Sequence, residues 1–288
     1  MRIGIVTDST ADLPQELVRE YEIAIIPLTV LMQGQEYRDG IDITSSQFYH
    51  ELKTSGLQPL TSQPSPGVFS ATYRSLLTKF DALISIHLTE RLSGTVRTAQ
   101  LVKETMPEAK IKVIDSHSTS LGLGSLVLEA ARAVKSGMLY NEVIELVNRL
   151  RDKVNFVVAL DTLEQVCKGG RVHKLQAFLG SLFRIKPLLR LNQGEVEIVA
   201  KLRSHREAVA KLFEEFKANF AIDTENIIAV VHTAAEGEAQ KLKEAVQETF
   251  KNVEIIFNQA GPVLGTHVGS GALALISVPK YQGLTSKL

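Results

Sequence analysis

The sequence predicts an α/β fold with two α/β domains. The N-terminal domain should contain a mainly parallel sheet with flanking helices, and the C-terminal domain should contain a mixed sheet with helices. Two observations lead to this prediction. Short runs of β-branched and aliphatic residues alternate with longer amphipathic stretches, which is the order of strands and helices in parallel sheets. The alternation breaks once, where two strand patterns flank Asn192-Gln193-Gly194 as in a hairpin, so the second sheet should be mixed.

The predicted strands are rich in Val, Ile and Leu and end at polar or glycine-containing turns. In chain order they are 3–7, 24–31, 82–88, 110–115, 156–160, 188–191, 196–202, 227–232, 253–258 and 272–278. A charged helix end precedes the strand at 156–160 and marks the passage to the second half. We therefore expect an N-terminal domain over residues 1–153 and a C-terminal domain over residues 154–288.

Four predicted helices begin with a capping box, in which a short oxygen side chain is followed three residues later by Glu or Gln. The pairs are Asp12 with Gln15, Thr44 with Gln47, Thr162 with Gln165 and Ser204 with Glu207. A fifth helix start is indicated where Ser65 precedes Pro66, since proline is favoured at the first helical position. These starts alternate with the predicted strands, as an α/β fold requires.

The composition is that of a globular protein without net charge. Of 288 residues 44% are hydrophobic, and 32 Lys and Arg balance 32 Asp and Glu, which disfavours nucleic acid or an acidic membrane surface as a partner. Because Cys167 is the single cysteine, the chain cannot form an internal disulfide. We interpret Cys167 as a core or turn residue. Asp8 interrupts the N-terminal apolar run, and no run reaches the roughly 18 residues of a membrane span, so we expect a soluble cytoplasmic protein.

Four hydroxyl-rich turns lie in the N-terminal half, at residues 7–14, 61–67, 88–95 and 115–124. In a parallel sheet the strand carboxyl ends and the helix N-termini meet at one edge, where anions bind. The clearest case is Ser93-Gly94-Thr95, between a strand and a helical pattern. A capped helix start is the alternative for each turn alone, but capping needs only one oxygen, and together the turns predict an anion site.

These turns lack the motifs of nucleotide and metal chemistry. The chain has no GxxxxGK loop, and no GxGxxG follows its first strand. Asp8 ends that strand but is followed two positions later by Thr10 rather than by a second acid, so we interpret Asp8 as a structural residue that binds turn amides. The histidines have no metal-ligand spacing, and we predict neither a metal nor a cofactor.

Two stretches of the C-terminal half add candidate ligand groups. Residues 165–194 contain no Asp or Glu and six basic residues, Lys168, Arg171, Lys174, Arg184, Lys186 and Arg190. This basic segment either attracts an anion or is balanced by acids elsewhere in space, and Arg171, after two glycines, is its best anion contact. His267 lies among four closely spaced glycines, a pattern typical of a backbone that passes close to a ligand, and we predict a binding or orienting role for it.

With these motifs the chain resembles the DegV family, the bacterial fatty-acid-binding proteins that serve as acyl carriers for fatty acid kinase. The matching stretches are TDSTADLP at Thr7, TSQPSPG at Thr61, HLTERLSGT at His87, DSHSTSLGLG at Asp115, KGGR at Lys168 and GPVLGTHVGSGALAL at Gly261, in the family's order. The resemblance implies a long-chain fatty acid buried between the two domains, with the C-terminal domain completing the lipid pocket and no cofactor bound.

The resemblance also implies roles for residues of these motifs. The predicted carboxylate contacts are Thr61, Ser62 and Ser93, and the supporting polar network is Gly94, Thr95, Arg171 and His267. Whether Thr61 or Ser62 faces the ligand stays open. Arg203, just after the hairpin, is a possible contact to the kinase.

The leading hypothesis is a carrier that is not itself an enzyme and presents the carboxylate to a separate ATP-dependent kinase, which feeds lipid metabolism with acyl phosphate. A carboxylate with a pKa of about 4.3 is already an anion at neutral pH and attacks a phosphoryl group without a general base. The alternative is a stand-alone small-molecule phosphotransferase or hydrolase that uses Asp8, Ser93 and the basic segment. A nucleic-acid- or membrane-binding regulator is disfavoured by the neutral total charge.

Overall fold

The computed structural model describes residues 1–56, 58–171, 185–221 and 225–281. Its strands are β1 (Ile3–Asp8), β2 (Ala24–Ile26), β3 (Thr29–Met32), β4 (Gln35–Arg38), β5 (Leu60–Ser62), β6 (Ala82–His87), β7 (Ile111–Asp115), β8 (Asn155–Ala159), β9 (Lys186–Asn192), β10 (Glu195–Leu202), β11 (Asn226–His232), β12 (Val253–Gln259) and β13 (Leu273–Pro279). Its α-helices are α1 (Gln15–Glu20), α2 (Ser45–Ser55), α3 (Pro66–Leu77), α4 (Thr95–Glu104), α5 (Ser120–Lys135), α6 (Tyr140–Arg151), α7 (Glu164–Lys168), α8 (His205–Ala218), α9 (Glu236–Thr249) and α10 (Pro262–Val268). A 3₁₀ turn, Ser9–Ala11, follows β1.

The N-terminal half is built on a parallel sheet with the strand order β2-β1-β6-β7. β1 and β6 are buried along their whole length, because α5 packs on one face of the sheet and α3 and α4 pack on the other. Asp8, His87 and Asp115 end β1, β6 and β7 at the same edge. The mainly parallel N-terminal sheet predicted from the alternation is confirmed.

The C-terminal half is built on a mixed sheet with the order β10-β9-β8-β13-β11-β12. β11 and β12 are parallel, whereas the other neighbours are antiparallel. The predicted hairpin is β9–β10, closed by Gln193 and Gly194, which both have positive φ, at 47° and 81°. The mixed sheet is confirmed, and its cause is this hairpin together with the antiparallel insertion of β13 between β8 and β11.

A third, small antiparallel sheet with the order β4-β3-β5 was not predicted. The predicted strand at 24–31 was wrong in its extent, because the chain leaves the parallel sheet at Pro27 and enters the small sheet at Thr29. Pro27 has no N–H for a sheet ladder, and the next amide, Leu28, is bound by the Ser9 hydroxyl at 3.1 Å. Gln33 and Gly34, with φ of 52° and 77°, then form the tight turn into β4.

Three of the five predicted helix starts are confirmed. Thr44 and Ser204 each form a complete capping box with the residue three positions later, and Ser65 accepts the amide of Val68 in front of Pro66. Their side-chain oxygens therefore satisfy free amides of the first helical turn.

Two predicted starts were wrong. Asp12 does not cap α1, which begins at Gln15 after Pro14; its backbone is left-handed with φ of 49°, and its carboxylate binds distant groups instead. Thr162 accepts the amide of Glu164, but α7 begins one residue later than the predicted box requires, at Glu164. At Thr162 a short local bond replaces the capping box, whereas at Asp12 long-range partners occupy the carboxylate.

Helix α5 joins the two halves of the molecule. Its residues belong to a single core cluster that contains Ile84 and Ile86 of the parallel sheet and Ala274 and Ile276 of the mixed sheet. At Gly124 a Cβ atom would lie 2.3 Å from the Ala11 carbonyl oxygen, so the close packing of α5 on the 3₁₀ turn requires glycine.

The predicted boundary at residue 153 falls between α6 and β8, where the chain passes from the first sheet to the second. Within the described residues, none of the helices combines the length and the apolar character that crossing a membrane requires.

Candidate functional site

A cavity of about 290 Å³ lies where the edge of the parallel sheet meets a face of the mixed sheet. Its volume is close to the lower end of the roughly 300–1,000 Å³ typical of small-ligand pockets. Most of its wall is aliphatic or aromatic, including Phe156, Val158, Leu189, Leu191, Val263 and Leu264.

The wall follows from the alternation of side chains along two strands of the mixed sheet. On β8, Phe156 and Val158 line the cavity, whereas Val157 and Ala159 pack with α8 and α9 on the opposite face. On β9, Leu189 and Leu191 line the cavity in the same way, while Leu188 points to the helices. The mixed sheet therefore needs apolar residues on both faces, and the strand pattern alone does not separate wall from core.

The polar part of the wall brings together four of the sequence motifs. The predicted residues that line the cavity are Thr61, Ser62, Ser93, Gly94, Arg171 and His267. Thr61 and Ser62 belong to β5, Ser93 and Gly94 precede α4, and His267 lies on α10. Side chains far apart in sequence thus form a polar stretch in a largely apolar wall.

Ser93 is held by the start of α4. Its Oγ lies 2.8 Å from Thr95 Oγ1 and accepts the Thr95 amide at 3.3 Å. Gly94 is the N-cap residue and has no side chain, and a Cβ there would lie 2.2 Å from Gln63 Oε1. Gln63 is fixed in turn by donating from Nε2 to Thr98 Oγ1 at 2.7 Å. Glycine at position 94 therefore lets the β5 segment pack directly against Ser93.

His267 and Thr61 form the other polar contact of this wall. His267 Nε2 lies 2.8 Å from Thr61 Oγ1. Burial, and secondly the positive charge of Arg171, lower the pKa of His267 to about 4, so the ring is neutral at physiological pH. A Cβ at Gly169 would lie 2.7 Å from His267 Nδ1, so the glycine pair before Arg171 provides room for the imidazole. The neutral ring orients the Thr61 hydroxyl at the cavity wall.

The basic segment is mostly balanced by acids elsewhere in space. Lys168 pairs with Glu164 at 2.6 Å, Lys186 pairs with Asp161, and Arg190 pairs with Glu215 at 3.0 Å. Lys174 and Arg184 lie outside the described residues. Of the two alternatives left open by the sequence, balance by acids elsewhere in space therefore holds for Lys168, Lys186 and Arg190.

Arg171 differs from the other members of the basic segment. It is exposed, lines the cavity and donates from Nη1 to the Gly169 carbonyl oxygen at 2.6 Å. Its guanidinium is the positive charge that acts on His267. This local bond holds the arginine at the rim of the polar wall.

Asp8 lies beneath the cavity rather than in it. Its carboxylate accepts the amides of Thr10 and Leu88 at 3.1 and 3.0 Å, and its side chain is completely buried. His87 Nδ1 lies 3.0 Å from the same carboxylate, and His87 Nε2 lies 2.7 Å from Ser85 Oγ. The predicted structural role of Asp8 thus has direct hydrogen-bond support.

Asp8, His87 and Ser85 are hydrogen-bonded in the sequence found in a catalytic Ser-His-Asp triad. The surroundings of Ser85, however, differ from those of a catalytic serine. Tyr73 donates its hydroxyl to Ser85 Oγ at 2.8 Å, and all four side chains are fully buried. A nucleophilic serine must reach a substrate carbonyl, and Ser85 has no accessible surface for this. The geometry therefore does not support Ser85 as a nucleophile.

Two buried carboxylates of the site were missed in the sequence. Asp12 accepts the Ser120 hydroxyl at 2.7 Å and the Gly261 amide at 2.8 Å. Burial raises the pKa of Asp12 to about 7, and burial likewise raises the pKa of Asp39 to about 7 although Ser9 and the Val263 amide bind it. Both acids hold the start of α10, the helix that carries His267. The sequence offers no local signal for this role, since the partners are far away along the chain.

Two predicted residues lie outside the cavity wall. Thr95 contacts Ser93 but does not itself line the cavity, and Arg203 is exposed between β10 and α8. In the part of the chain that the structure describes, no three His, Cys, Asp or Glu residues come together as possible metal ligands.

Comparison with known proteins relates the whole chain to one family. The family model described as "Uncharacterised protein, DegV family" matches residues 2–280. A DegV domain-containing protein of Caldanaerobacter subterraneus is 34% identical over 272 residues, which are 94% of this chain and 96% of that protein.

Two solved structures have the same fold over nearly their entire length. A fatty-acid-binding DegV family protein of Thermus thermophilus is 33% identical, with a TM-score of 0.90 and coverage of 97% of this chain and 100% of the other. DegV of Bacillus subtilis, described as a fatty acid binding protein, is 32% identical, with a TM-score of 0.91 and the same coverage.

Proposed function

The chain belongs to the DegV family, and we propose that it binds one long-chain fatty acid in the cavity between its two sheets and presents the carboxylate to a partner kinase. The observation that carries this proposal is the form of the cavity, a largely aliphatic wall with a polar stretch that combines Thr61, Ser93 and His267. The fatty-acid binding described for the Thermus and Bacillus proteins supports it.

The aliphatic wall would supply most of the affinity. Burial contributes about 0.8 kcal/mol for each methylene, so a sixteen-carbon chain gains roughly 11 kcal/mol before the costs of ordering. A hydrogen bond to a charged carboxylate adds only about 1.5–3 kcal/mol. The wall therefore holds the ligand, and the polar stretch decides which end of the chain lies there.

The polar stretch suits a carboxylate because it offers hydroxyl donors and an arginine nearby. Ser93 Oγ is already placed by the Thr95 amide, and Thr61 Oγ1 is placed by His267, so both hydroxyls are oriented before a ligand arrives. Arg171 at the rim adds a positive charge. Thr61 is half-buried and Ser62 is exposed, which favours Thr61 over Ser62 as the carboxylate contact.

We further propose that phosphoryl transfer is the work of a separate ATP-dependent kinase and that this chain contributes binding without a cofactor of its own. A carboxylate oxygen attacks the γ-phosphorus of ATP, and the bond from that phosphorus to the departing ADP oxygen breaks. The ionised carboxylate needs no general base. The acyl phosphate product then stays in the cavity until it enters lipid metabolism.

The binding proposal is tested by extracting the purified protein with organic solvent after denaturation and analysing the extract by mass spectrometry. We expect about one long-chain fatty acid for each chain. Preparations that are repeatedly empty, and that stay empty after incubation with fatty acid, would contradict the proposal.

The carrier role is tested by mixing the loaded protein with a purified fatty acid kinase, ATP and Mg²⁺ and trapping acyl phosphate with hydroxylamine. We expect the hydroxamate only when both proteins and ATP are present. Consumption of ATP by this protein alone would support the stand-alone enzyme instead.

A further inference from the structure

The contacts of Ser93, Thr61 and His267 described above do not involve the turn at residues 115–124, although it is as rich in hydroxyls as the other motifs. It leads into α5, and its Thr119 is the N-cap residue of that helix. The Thr119 side chain makes no capping hydrogen bond, although this is the usual use of a threonine at an N-cap. The Thr119 hydroxyl therefore does not cap α5.

The Thr119 hydroxyl is buried in the cavity wall. The residue is 8% exposed, it lines the cavity, and its Oγ1 has no hydrogen-bond partner among the residues that the structure describes. A buried hydroxyl without a partner is unfavourable, and such groups are rare unless a ligand or a water completes them. The positive end of the sixteen-residue helix α5 lies at the same point and favours an electronegative atom there.

Hydrogen bonds of the residue after Thr119 tie the start of α5 to the segment that lies beside the end of β11. This residue, Ser120, donates to Asp12, which also accepts the Gly261 amide at 2.8 Å. The adjacent residue Ala260 donates its amide to the His232 carbonyl oxygen at 2.9 Å. His232 and Thr233, at the end of β11, line the cavity as well.

His232 offers a donor to this part of the wall. Its Nδ1 accepts the amide of Ala235 at 3.3 Å, which assigns the proton of the neutral ring to Nε2. Burial lowers the pKa of His232, so the neutral form is the relevant one. Besides the polar stretch around Ser93, the cavity wall thus contains Thr119, His232 and Thr233 as further polar residues.

We propose that the stretch formed by Thr119, His232 and Thr233 is a second subsite that binds a hydroxyl group on the acyl chain, so that hydroxylated long-chain fatty acids are ligands of this protein. This inference rests on the proposed binding of fatty acids. A hydroxyl fits because it both donates and accepts, as the Thr119 hydroxyl does.

A second carboxylate fits this subsite less well than a hydroxyl. The cations among the described lining residues are Arg171 and Arg190. Arg190 pairs with Glu215, and Arg171 lies beside His267. A second charged group in the wall would therefore compete with the first carboxylate for Arg171, which is unfavourable.

The test compares octadecanoic acid with its monohydroxylated positional isomers by displacement of a fluorescent fatty acid. The variant Thr119→Val keeps the shape of the side chain, suits the extended backbone of the N-cap and removes only the hydroxyl. Thr119→Ser retains the hydroxyl and should behave as wild type. Ser125→Ala is the matched control, because Ser125 also has a buried hydroxyl without a partner in the described chain but does not line the cavity.

We expect at least one isomer to bind wild type about as well as octadecanoic acid does. In Thr119→Val the Kd of this hydroxylated isomer, divided by the Kd of octadecanoic acid, should rise at least about fivefold. The reason is that the ligand hydroxyl then lies buried without its partner. The ratio should be unchanged in Ser125→Ala.

Three outcomes overturn the inference. If octadecanoic acid binds but the ratio is the same in wild type and Thr119→Val, the hydroxyl subsite is wrong and the fatty-acid proposal stands; an ordered water at Thr119 would give this result. If every hydroxylated isomer binds wild type much more weakly than octadecanoic acid, the subsite is also wrong. If no fatty acid binds wild type, the proposed function fails and the inference fails with it.

Discussion

The two sheets contribute to the cavity in different ways. The parallel sheet contributes its edge, where Ser93 and Thr119 begin α4 and α5 after β6 and β7. The mixed sheet contributes a face, where Val158 and Leu189 alternate with residues that pack on the opposite helices. An edge presents helix N-termini and turn hydroxyls, whereas a face presents side chains, so one sheet suits a polar headgroup and the other an acyl chain.

This difference explains why the polar contacts were visible in the sequence and the apolar wall was not. A hydroxyl-rich turn is a local pattern with few structural uses, and it therefore stands out. A valine on β8 looks the same whether it faces the cavity or the core. The two contributions should accordingly respond differently to substitution.

The largest effect is expected on the face of the mixed sheet. Val158→Asp places an unpaired carboxylate in the aliphatic wall, which should abolish fatty-acid recovery and lower the free energy of unfolding by about 3–5 kcal/mol. Ligand content by mass spectrometry and urea unfolding measure the two effects. Val158→Thr, nearly the same shape, should fold and lose only part of the ligand. Full ligand content in Val158→Asp would show that this face does not hold the acyl chain.

The next largest effect concerns the carboxylate that connects the edge to α10. The folded pKa of Asp12 is about 7 against a usual value of 3.8, so its contribution to stability is complete below pH about 4 and is lost as the pH rises through about 7. Asp12→Asn removes this dependence, because the amide accepts from Gly261, donates to Ser120 and does not ionise.

Relative to wild type, Asp12→Asn should gain up to about 4 kcal/mol in unfolding free energy between about pH 4 and about pH 8. The charges of Asp39 and Asp8 raise the pKa of Asp12 further after burial, so the comparison is made as a difference between the two proteins. Urea unfolding at several pH values measures it. Parallel pH curves would mean that Asp12 is ionised throughout.

A smaller effect is expected at the polar edge. Ser93→Ala removes one of the donors proposed for the carboxylate and should weaken fatty-acid binding about tenfold to a hundredfold, without a comparable loss of stability. Displacement of a fluorescent fatty acid measures the Kd, and Ser46→Ala, on the exposed face of α2, is the matched control. Unchanged affinity in Ser93→Ala would remove Ser93 from the carboxylate site.

The smallest effect is a gain of stability. In the protein without ligand, Thr119→Val removes a hydroxyl that has no partner within the described residues and should raise the unfolding free energy by about 1 kcal/mol. Thermal unfolding measures it. A loss of stability would show that an unseen partner satisfies this hydroxyl.

Much of the fold was predictable from local pattern. The alternation of strands and helices predicted the parallel sheet, and Gly194 predicted the hairpin that makes the second sheet mixed. The small sheet around β3 was missed because its strands are three or four residues long, too short for a periodic pattern. Pro27, inside the predicted strand at 24–31, was the signal that could have divided it.

The candidate site was predictable only in part. The turns that contain Thr61, Ser93 and His267 could be identified, and the structure brings all three to one cavity. The choice of Asp12 as a helix cap was wrong, because its partners Ser120 and Gly261 lie more than a hundred residues away. For the same reason, the sequence could not show that Glu215 and Asp161 form ion pairs with Arg190 and Lys186 of the basic segment.

The sequence by itself determined the order of strands and helices, the polar turns and the family, because each is encoded in neighbouring residues or in motifs along the chain. Only the tertiary structure decided which aliphatic residues form a cavity wall and which charges are paired. It also showed that the Thr119 hydroxyl has no hydrogen-bond partner among the described residues. The physical reason is that burial and pairing depend on what the fold brings near, and a residue's neighbours in space are set by packing between sheets rather than by its neighbours in sequence.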